Sequence, residues 1–359
     1  MVNKIKELIS EGRFNTAVRL CEEEIRKYEN NLDERIHFEE EKKLIEKYYE
    51  AFITNIPGET FLPLVNQNNN QGKVLKLKTA YGNYDDINVN EEWTYNIKEI
   101  ITDFFDLYLK KEYPFIKILE WDLSGLKCGI KNYYNSVDKY EIEGKSYLLP
   151  LILSVISLLT EKNISNEYCF TGDLEKFNNK YVLKRVEGIE IKQKVIQEEL
   201  PVVRKFIYPE TSKDLFDIVK ELFADSVKNI IKSPFVKRSI VLEKREVGSE
   251  FGKHKVITIS LNGNLLIDEF LQMPEFLRNN IQLLKDEGNG VIYDGRAPIA
   301  LYSMISSITE IINSLPNFLA INYPSAIQPN NSSYKAAIVI RTSNSGGSKL
   351  KEGDVIYYK

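Results

Sequence analysis

The stretch YLLPLILSVISLL, residues 147–159, constrains this chain more than any other. A helix of this composition is apolar on nearly every side, so it is stable only where all its faces are covered. It is too short and too interrupted for a membrane: 13 residues broken by Pro150, against the roughly 18–20 that a span needs. It therefore predicts a helix in the middle of a domain. Gly144-Lys145-Ser146 stands directly before it. The phosphate-binding pattern G-x-x-x-x-G-K-[ST] needs a second glycine five residues before Gly144, and that position is Lys139. A P-loop is excluded. A serine and a lysine at the N-terminus of a core helix have another use, because backbone N–H groups there point outward and favour negative charge.

Composition narrows the field. A length of 359 residues predicts two or three domains, and 43% hydrophobic residues suffice for their cores. The 48 basic and 52 acidic residues leave a net charge of −4, which argues against a surface that coats DNA or long RNA. A local patch for a small anion is compatible with it. Cys21, Cys128 and Cys169 are far apart, lack zinc-site spacing and suit a reducing compartment. The opening MVNKIKELISEGRFNTAV has no apolar run of the secretory kind. A cytoplasmic protein without a membrane partner is expected. Only two histidines occur, His37 in ERIHFEEEKK and His254 in FGKHKV, and both read as surface residues. A Ser-His-Asp hydrolase or a His-rich metal site has almost no material here. Hydrolytic chemistry would need another base and no metal.

Along the chain, residues 1–53 carry apolar positions at three-to-four spacing (Ile5, Leu8, Ile9, then Phe14, Ala17, Val18, Cys21), predicting a helical N-terminal arm of two or three helices. Residues 54–235 alternate short β-like runs with helices: a strand in GKVLKLKTAYG, a helix in WTYNIKEIITDFFDLYLKKEY, then the apolar helix, EYCFTGDLE, NKYVLKRVEG, a helix in IEIKQKVIQEEL, a strand in VVRKFIYPE and a single helix over 212–232. SPFVKRSIVLEKREVGSEFGKHK reads as a junction. Residues 236–359 order strand, turn, helix, strand, loop and strand into a compact α/β module. The fold class is α+β and α/β, in several domains.

A serine hydroxyl is a weak nucleophile until a base takes its proton, and a lysine kept neutral by burial can do so. For Ser146 the candidates are Lys145, Lys192 and Lys194. Lys145 is adjacent, so its side chain diverges from that of Ser146. Lys192 and Lys194 project roughly 200° apart on a helix, so at most one faces the core. Ile189, Val195 and Ile196 place Lys192 on the buried stripe and leave Lys194 in water.

EGKSYLLPLILSVISLL, EYCFTGDLE and RVEGIEIKQKVI together resemble the proteolytic domain of Lon proteases. In that family a serine after Asp-Gly-Pro opens a core helix, followed by a Thr-Gly-Glu segment and a Gly-Gly-x-x-x-Lys segment. Here Thr171-Gly172-Asp173 follows Ser146 by 25 residues and Lys192 follows it by 46. The resemblance implies an ATP-independent serine endopeptidase with Ser146 as nucleophile, Lys192 as general base and Thr171 as support for the lysine. The chain departs from the family at Lys145, at Tyr147-Leu148 (Ala-Gly in the family) and at Glu187 (glycine in the family). A tyrosine beside the nucleophile is expected to narrow the cleft, which keeps a catalytically silent receptor or scaffold as the alternative.

GVIYDGRAPIALYSMIS, NFLAINYPSA, YKAAIVIRTSN and LKEGDVIYYK resemble a small CRISPR-associated ring-nuclease family with a CARF-like fold. That resemblance implies a ligand, a cyclic oligoadenylate and in particular cyclic tetra-adenylate, the messenger of type III CRISPR immunity. It also implies a homo-oligomer, at least on ligand binding, and a protein substrate for the protease. Gly295, Arg296 and Ala297 would form a phosphate-contacting turn, with Arg341, Ser343 and Asn344 as a polar rim. Asn322-Tyr323-Pro324 stands where the family has Tyr-Asp-Pro, and only Asp294 and Glu310 remain as scattered acids. Binding without efficient cleavage of the ring is expected, with a ring nuclease as a further alternative.

Overall fold

The computed structural model describes residues 2–66, 71–82, 85–132, 144–211, 214–249, 252–263, 265–280, 291–295, 304, 318–322, 335–342 and 354–358. The chain is mixed α+β and divides into two compact units, residues 1–107 with 122–235, and residues 108–121 with 236–359. The units are not contiguous stretches, because residues 108–121 join the second unit while the segments on either side belong to the first.

The first unit opens with α1 (Val2–Ser10), α2 (Phe14–Lys27) and α3 (Leu32–Ile53). Their apolar stripe, Ile5, Leu8, Ile9, Phe14, Ala17 and Cys21, enters one core with Phe52, Phe61, Val74, Val195, Ile196 and Leu200. The helices thus share their core with the strands and with a helix far along the chain. An antiparallel sheet follows from β1 (Glu59–Asn66), β2 (Gln71–Tyr81), β3 (Ile87–Val89) and, past α4 (Glu91–Glu112) and β4 (Ile116–Trp121), β5 (Leu126–Lys131). Its order is β1-β2-β5-β3. Pro63 lies within β1, and an edge strand is where a residue without a backbone donor is tolerated.

The apolar run is α5 (Leu148–Thr160), in which every side chain but Leu158 is buried. Pro150 falls in its first turn, where a missing N–H removes no helical bond. The helix packs on β1 and β2 and on later elements of the unit: β6 (Tyr168–Phe170), β7 (Asp173–Phe177), α7 (Leu215–Phe223) and a 3-10 helix (Val227–Lys232). β7 forms a hairpin with β8 (Lys180–Lys184) through Asn178 and Asn179, both at positive φ, the backbone that tight hairpins require and asparagine tolerates. After α6 (Ile189–Glu199) comes β9 (Lys205–Ile207), which pairs in parallel with β6. The helix expected over 212–232 is therefore two elements, divided at Ala224–Ser226.

In the second unit, β10 (Val236–Ser249), β11 (Gly252–Asn262), β12 (Val291–Gly295), β13 (Phe318–Asn322), β14 (Lys335–Thr342) and β15 (Val355–Tyr358) join β4 in a seven-stranded sheet. The order is β15-β14-β13-β12-β11-β10-β4, parallel only at β11–β12 and β12–β13. β10 corrects the expected junction: the charges of EKRE are exposed while Ile240 and Leu242 are buried. α8 (Ile267–Asn279) covers this face with Met273, Phe276 and Leu277 against Ile257, Ile259 and Tyr293. A second cluster, Val247, Val256, Ile292, Ala320, Val339 and Ile356, fills the sheet elsewhere. Among the described residues no helix is long and apolar enough to cross a membrane.

Candidate active site

Ser146 sits in a turn, not in the helix that follows. Gly144 at φ +75° opens the turn, and α5 begins two residues after Ser146, with Tyr147 as its N-cap. The first N–H groups of the helix are occupied: Leu148 N–H donates to Lys145 O and Leu149 N–H to Gly172 O, each at 3.0 Å. Pro150 has none. The N–H groups of the helix's first two residues are therefore occupied, contrary to the expectation from sequence, one by the preceding turn at Lys145 and one by the β6–β7 connection at Gly172. Tyr147 corrects a second expectation. It is buried, stacked on Trp93 with ring centroids 4.4 Å apart and planes at 21°, and it does not line the cavity beside Ser146.

That cavity, about 490 Å³, belongs wholly to the first unit and is lined by Ser146 and Lys192 together with Lys145, Asp173, Arg185 and Glu187. Leu64 and Val65 of β1 form part of its wall. Periodicity does not reveal this strand, since Pro63 interrupts the pattern FLPLVN that marks it.

Lys192 lies in the first turns of α6. The helix starts from Gly188, whose φ of +69° favours glycine, and a Cβ there would stand 2.7 Å from Val65 Cγ2. Lys192 is 3% exposed, while the side chain of Lys194 is 76% exposed. Burial pushes the Lys192 amine down from 10.5 to about 8, opposed weakly by the Cys169 thiol beside it. Its Nζ donates to Thr171 Oγ1 at 3.0 Å. Thr171 is fully buried at the end of β6, held by its N–H on Ile207 O at 3.0 Å. Its hydroxyl donates in turn to Ser146 O at 3.4 Å, an oxygen that also accepts from Gly172 N–H at 3.0 Å. The chain of bonds thus runs from lysine to threonine to the backbone of the serine. No hydrogen bond joins Ser146 Oγ to Lys192 Nζ directly among the described residues.

His37 is exposed, but His254 is not the surface residue its basic turn suggested. It is 3% exposed, and its Nε2 lies 2.6 Å from Ser249 Oγ. Pairing of β10 with β11 sets it opposite Val247 and draws it under the hairpin. In the second unit, Gly295 ends β12 at φ +108°, and a Cβ there would meet Ile259 O of β11 at 2.2 Å. The close approach this glycine permits is to the neighbouring strand. Arg341 lies in β14 opposite Leu319 of β13. Arg296, Ala297, Ser343, Asn344 and Glu310 lie outside the described residues. Near Gly295, a cavity of about 720 Å³ is lined by Lys244, Arg245, Glu243, Thr258 and Asp294 with Phe115 and Leu242. Asp294 is buried, accepts from Gly295 N–H at 2.7 Å and faces Arg245 at 3.7 Å. Among the described residues no group of three or more His, Cys, Asp or Glu is placed to hold a metal ion.

Comparison with models of known protein families gave no match, and comparison with curated proteins gave none.

Proposed function

We propose that the first unit is a Ser-Lys peptidase domain of the Lon-like kind, with Ser146 as nucleophile, Lys192 as general base and Thr171 as the residue that holds the base. One observation carries this reading. A buried lysine with no carboxylate partner among the described residues, its amine lowered to about 8, shares a cavity with a serine whose backbone is tied to the lysine's own hydrogen-bond acceptor. Near pH 8 about half of such amines are neutral, and a neutral amine accepts a proton. Ser146 Oγ attacks the substrate carbonyl carbon while its proton passes to Lys192 Nζ. Collapse of the tetrahedral adduct breaks the C–N bond, and the lysine returns the proton to the departing amine. Water then releases the acyl group by the same route. The N–H groups of Ser146 and Tyr147 make no hydrogen bond among the described residues and are the donors left for the oxyanion.

In this reading the second unit binds a cyclic oligoadenylate, and the ligand controls cleavage of a partner protein in the cytoplasm, as an ancillary effector of type III CRISPR immunity. Lys244 and Arg245 at the 720 Å³ cavity supply cations for phosphate. A catalytically silent receptor is the second reading, favoured by the missing Ser146–Lys192 hydrogen bond and the occupied helix N–H groups.

One experiment separates the two. Treat the full chain, with and without cyclic tetra-adenylate, with a fluorophosphonate serine probe. Covalent labelling of wild type that Ser146→Ala abolishes supports the peptidase. Equal labelling of both chains, or none under either condition, favours the silent receptor. Loss of ring affinity in Arg296→Glu tests the ligand site separately.

A further inference from the structure

The buried residues of α6 are Lys192, Val195, Ile196 and Glu199. Their spacing of three, four and seven places them on one face, with Lys192 and Glu199 two turns and about 10 Å apart along the axis. Lys192 carries the candidate chemistry, whereas Glu199 is a carboxylate only 1% exposed that no step uses. Its partners lie far away in sequence. Glu199 Oε2 accepts from the backbone N–H of Asn15 at 2.8 Å and of Thr16 at 3.3 Å, and Oε1 accepts from the Thr16 hydroxyl. Asn15 Nδ2 returns two bonds, to Glu198 O at 2.9 Å and Glu199 O at 3.3 Å. These are the first N–H groups of α2, whose own N-cap, Arg13, makes no side-chain cap bond. A buried carboxylate from α6 therefore supplies the cap that α2 lacks. The α2 donors in turn satisfy a charge that would otherwise be buried without partners. Between the two ends, Val195, Ile196 and Leu200 share one core with Phe14, Ala17 and Cys21.

We propose that Glu199 is a positioning residue for Lys192, and that the N-terminal helices act through it as the clamp that keeps α6 seated with the lysine against Thr171. The inference rests on the Ser-Lys reading of this unit. Glu199 acts on Lys192 through the position of the helix, not through its charge. The groups that face the amine directly are Thr171 and Cys169 of the β6 segment, with Lys145, Asp173, Arg185 and Glu187 around the cavity. Those that face Glu199 are Asn15, Thr16 and Tyr49. The two modes of action have opposite signs. Removal of a negative charge alone lowers the lysine's pKa, whereas release of the helix end admits water and raises it.

The experiment follows the Cε resonance of Lys192 in the full chain labelled with ¹³C-lysine, assigned by its absence in Lys192→Arg, as pH is raised. This readout needs no protease activity. Wild type is expected to titrate near 8, and Glu199→Ala upward by about one unit or more. Glu199→Gln, which keeps the acceptor oxygen, is expected to stay within about half a unit of wild type. Fluorophosphonate labelling of Ser146 should shift its acid limb in parallel. If Glu199→Ala does not fold, Thr16→Val with Asn15→Ala removes the side-chain half of the clamp and should move the titration in the same direction. An unchanged or lowered titration in a folded clamp variant overturns the positioning role alone. A wild-type Lys192 that titrates near 10.5 overturns the Ser-Lys reading and the clamp's role in it together.

Discussion

Lys76 and Lys192 are both buried in the first unit, and burial pushes both amines down to about 8. Their surroundings differ. Lys76, on β2, donates to Phe52 O at 2.6 Å and Thr54 O at 2.5 Å at the C-terminal end of α3, with Glu59 Oε2 at 3.2 Å. Glu59 is also paired with Lys131 at 2.5 Å. Lys192 has a single neutral acceptor among the described residues, Thr171 Oγ1, and one side open to a cavity. Carbonyls and a carboxylate fill the donor capacity of Lys76 and favour its charged form, so its work is to hold α3 against the sheet. Lys192 is buried with little to hold its proton. A depressed pKa alone does not mark a base; the acceptors and the access do.

The comparison breaks most sharply at Lys192→Arg. A guanidinium does not release its proton, so fluorophosphonate labelling of Ser146 should fall by about 100- to 10,000-fold while the circular dichroism spectrum stays folded. In wild type the labelling rate should climb as pH rises through about 8 and level off above it. The stability linkage has the matching sign. A lysine depressed from 10.5 to about 8 on folding binds its proton more readily in the unfolded chain, so its contribution is unfavourable below 8 and lifts as pH rises towards 10.5. Lys192→Met should therefore be inactive yet more stable at pH 7, with a shallower rise of stability over that window. A less stable Lys192→Met at pH 7 would place Lys192 with Lys76 as a structural residue.

Lys76→Met should do the reverse. It strips two carbonyls and a buried carboxylate of a donor and should cost about 3 kcal/mol or more in urea unfolding. Labelling of Ser146 per folded molecule should not change. A smaller effect is expected at Thr171→Val, which keeps the volume and removes the hydroxyl: labelling should fall about tenfold, the scale of one hydrogen bond. Lys194→Ala should stay within about twofold of wild type, since among the described residues its exposed amine pairs with the half-exposed Glu198 alone. Equal damage from Lys192→Arg and Lys194→Ala would remove the distinction altogether.

Those parts of the site that follow from local periodicity are legible in the amino-acid sequence. A largely apolar run of 13 residues requires a core helix, and the flanking Ile189, Val195 and Ile196 put Lys192 inside and Lys194 outside. The parts that depend on distant partners are not legible there. Nothing near Ser146 in sequence announces that Gly172 O takes the Leu149 N–H, or that Trp93 receives Tyr147. His254 sits among lysines and reads as wet until β10 pairs across it. β10 itself reads as a junction, because a strand that buries one face and exposes a charged one looks polar on average. Glu199 is the clearest case. In IEIKQKVIQEEL it is one more acid at a helix end, and only the fold brings it to α2.

The oxygen of Ser146 accepts from both Thr171 and Gly172, and Thr171 in turn accepts from Lys192. Fluctuations of the turn and of the lysine are therefore coupled: a displacement of Ser146 drags the threonine, and the amine with it. The carbonyl of the serine and the amine of the lysine are thereby fastened to the same threonine, as two instruments bolted to one bench. The Gly172 amide, one of the bolts, is expected to exchange its proton with solvent when that bench comes apart, which hydrogen exchange would read.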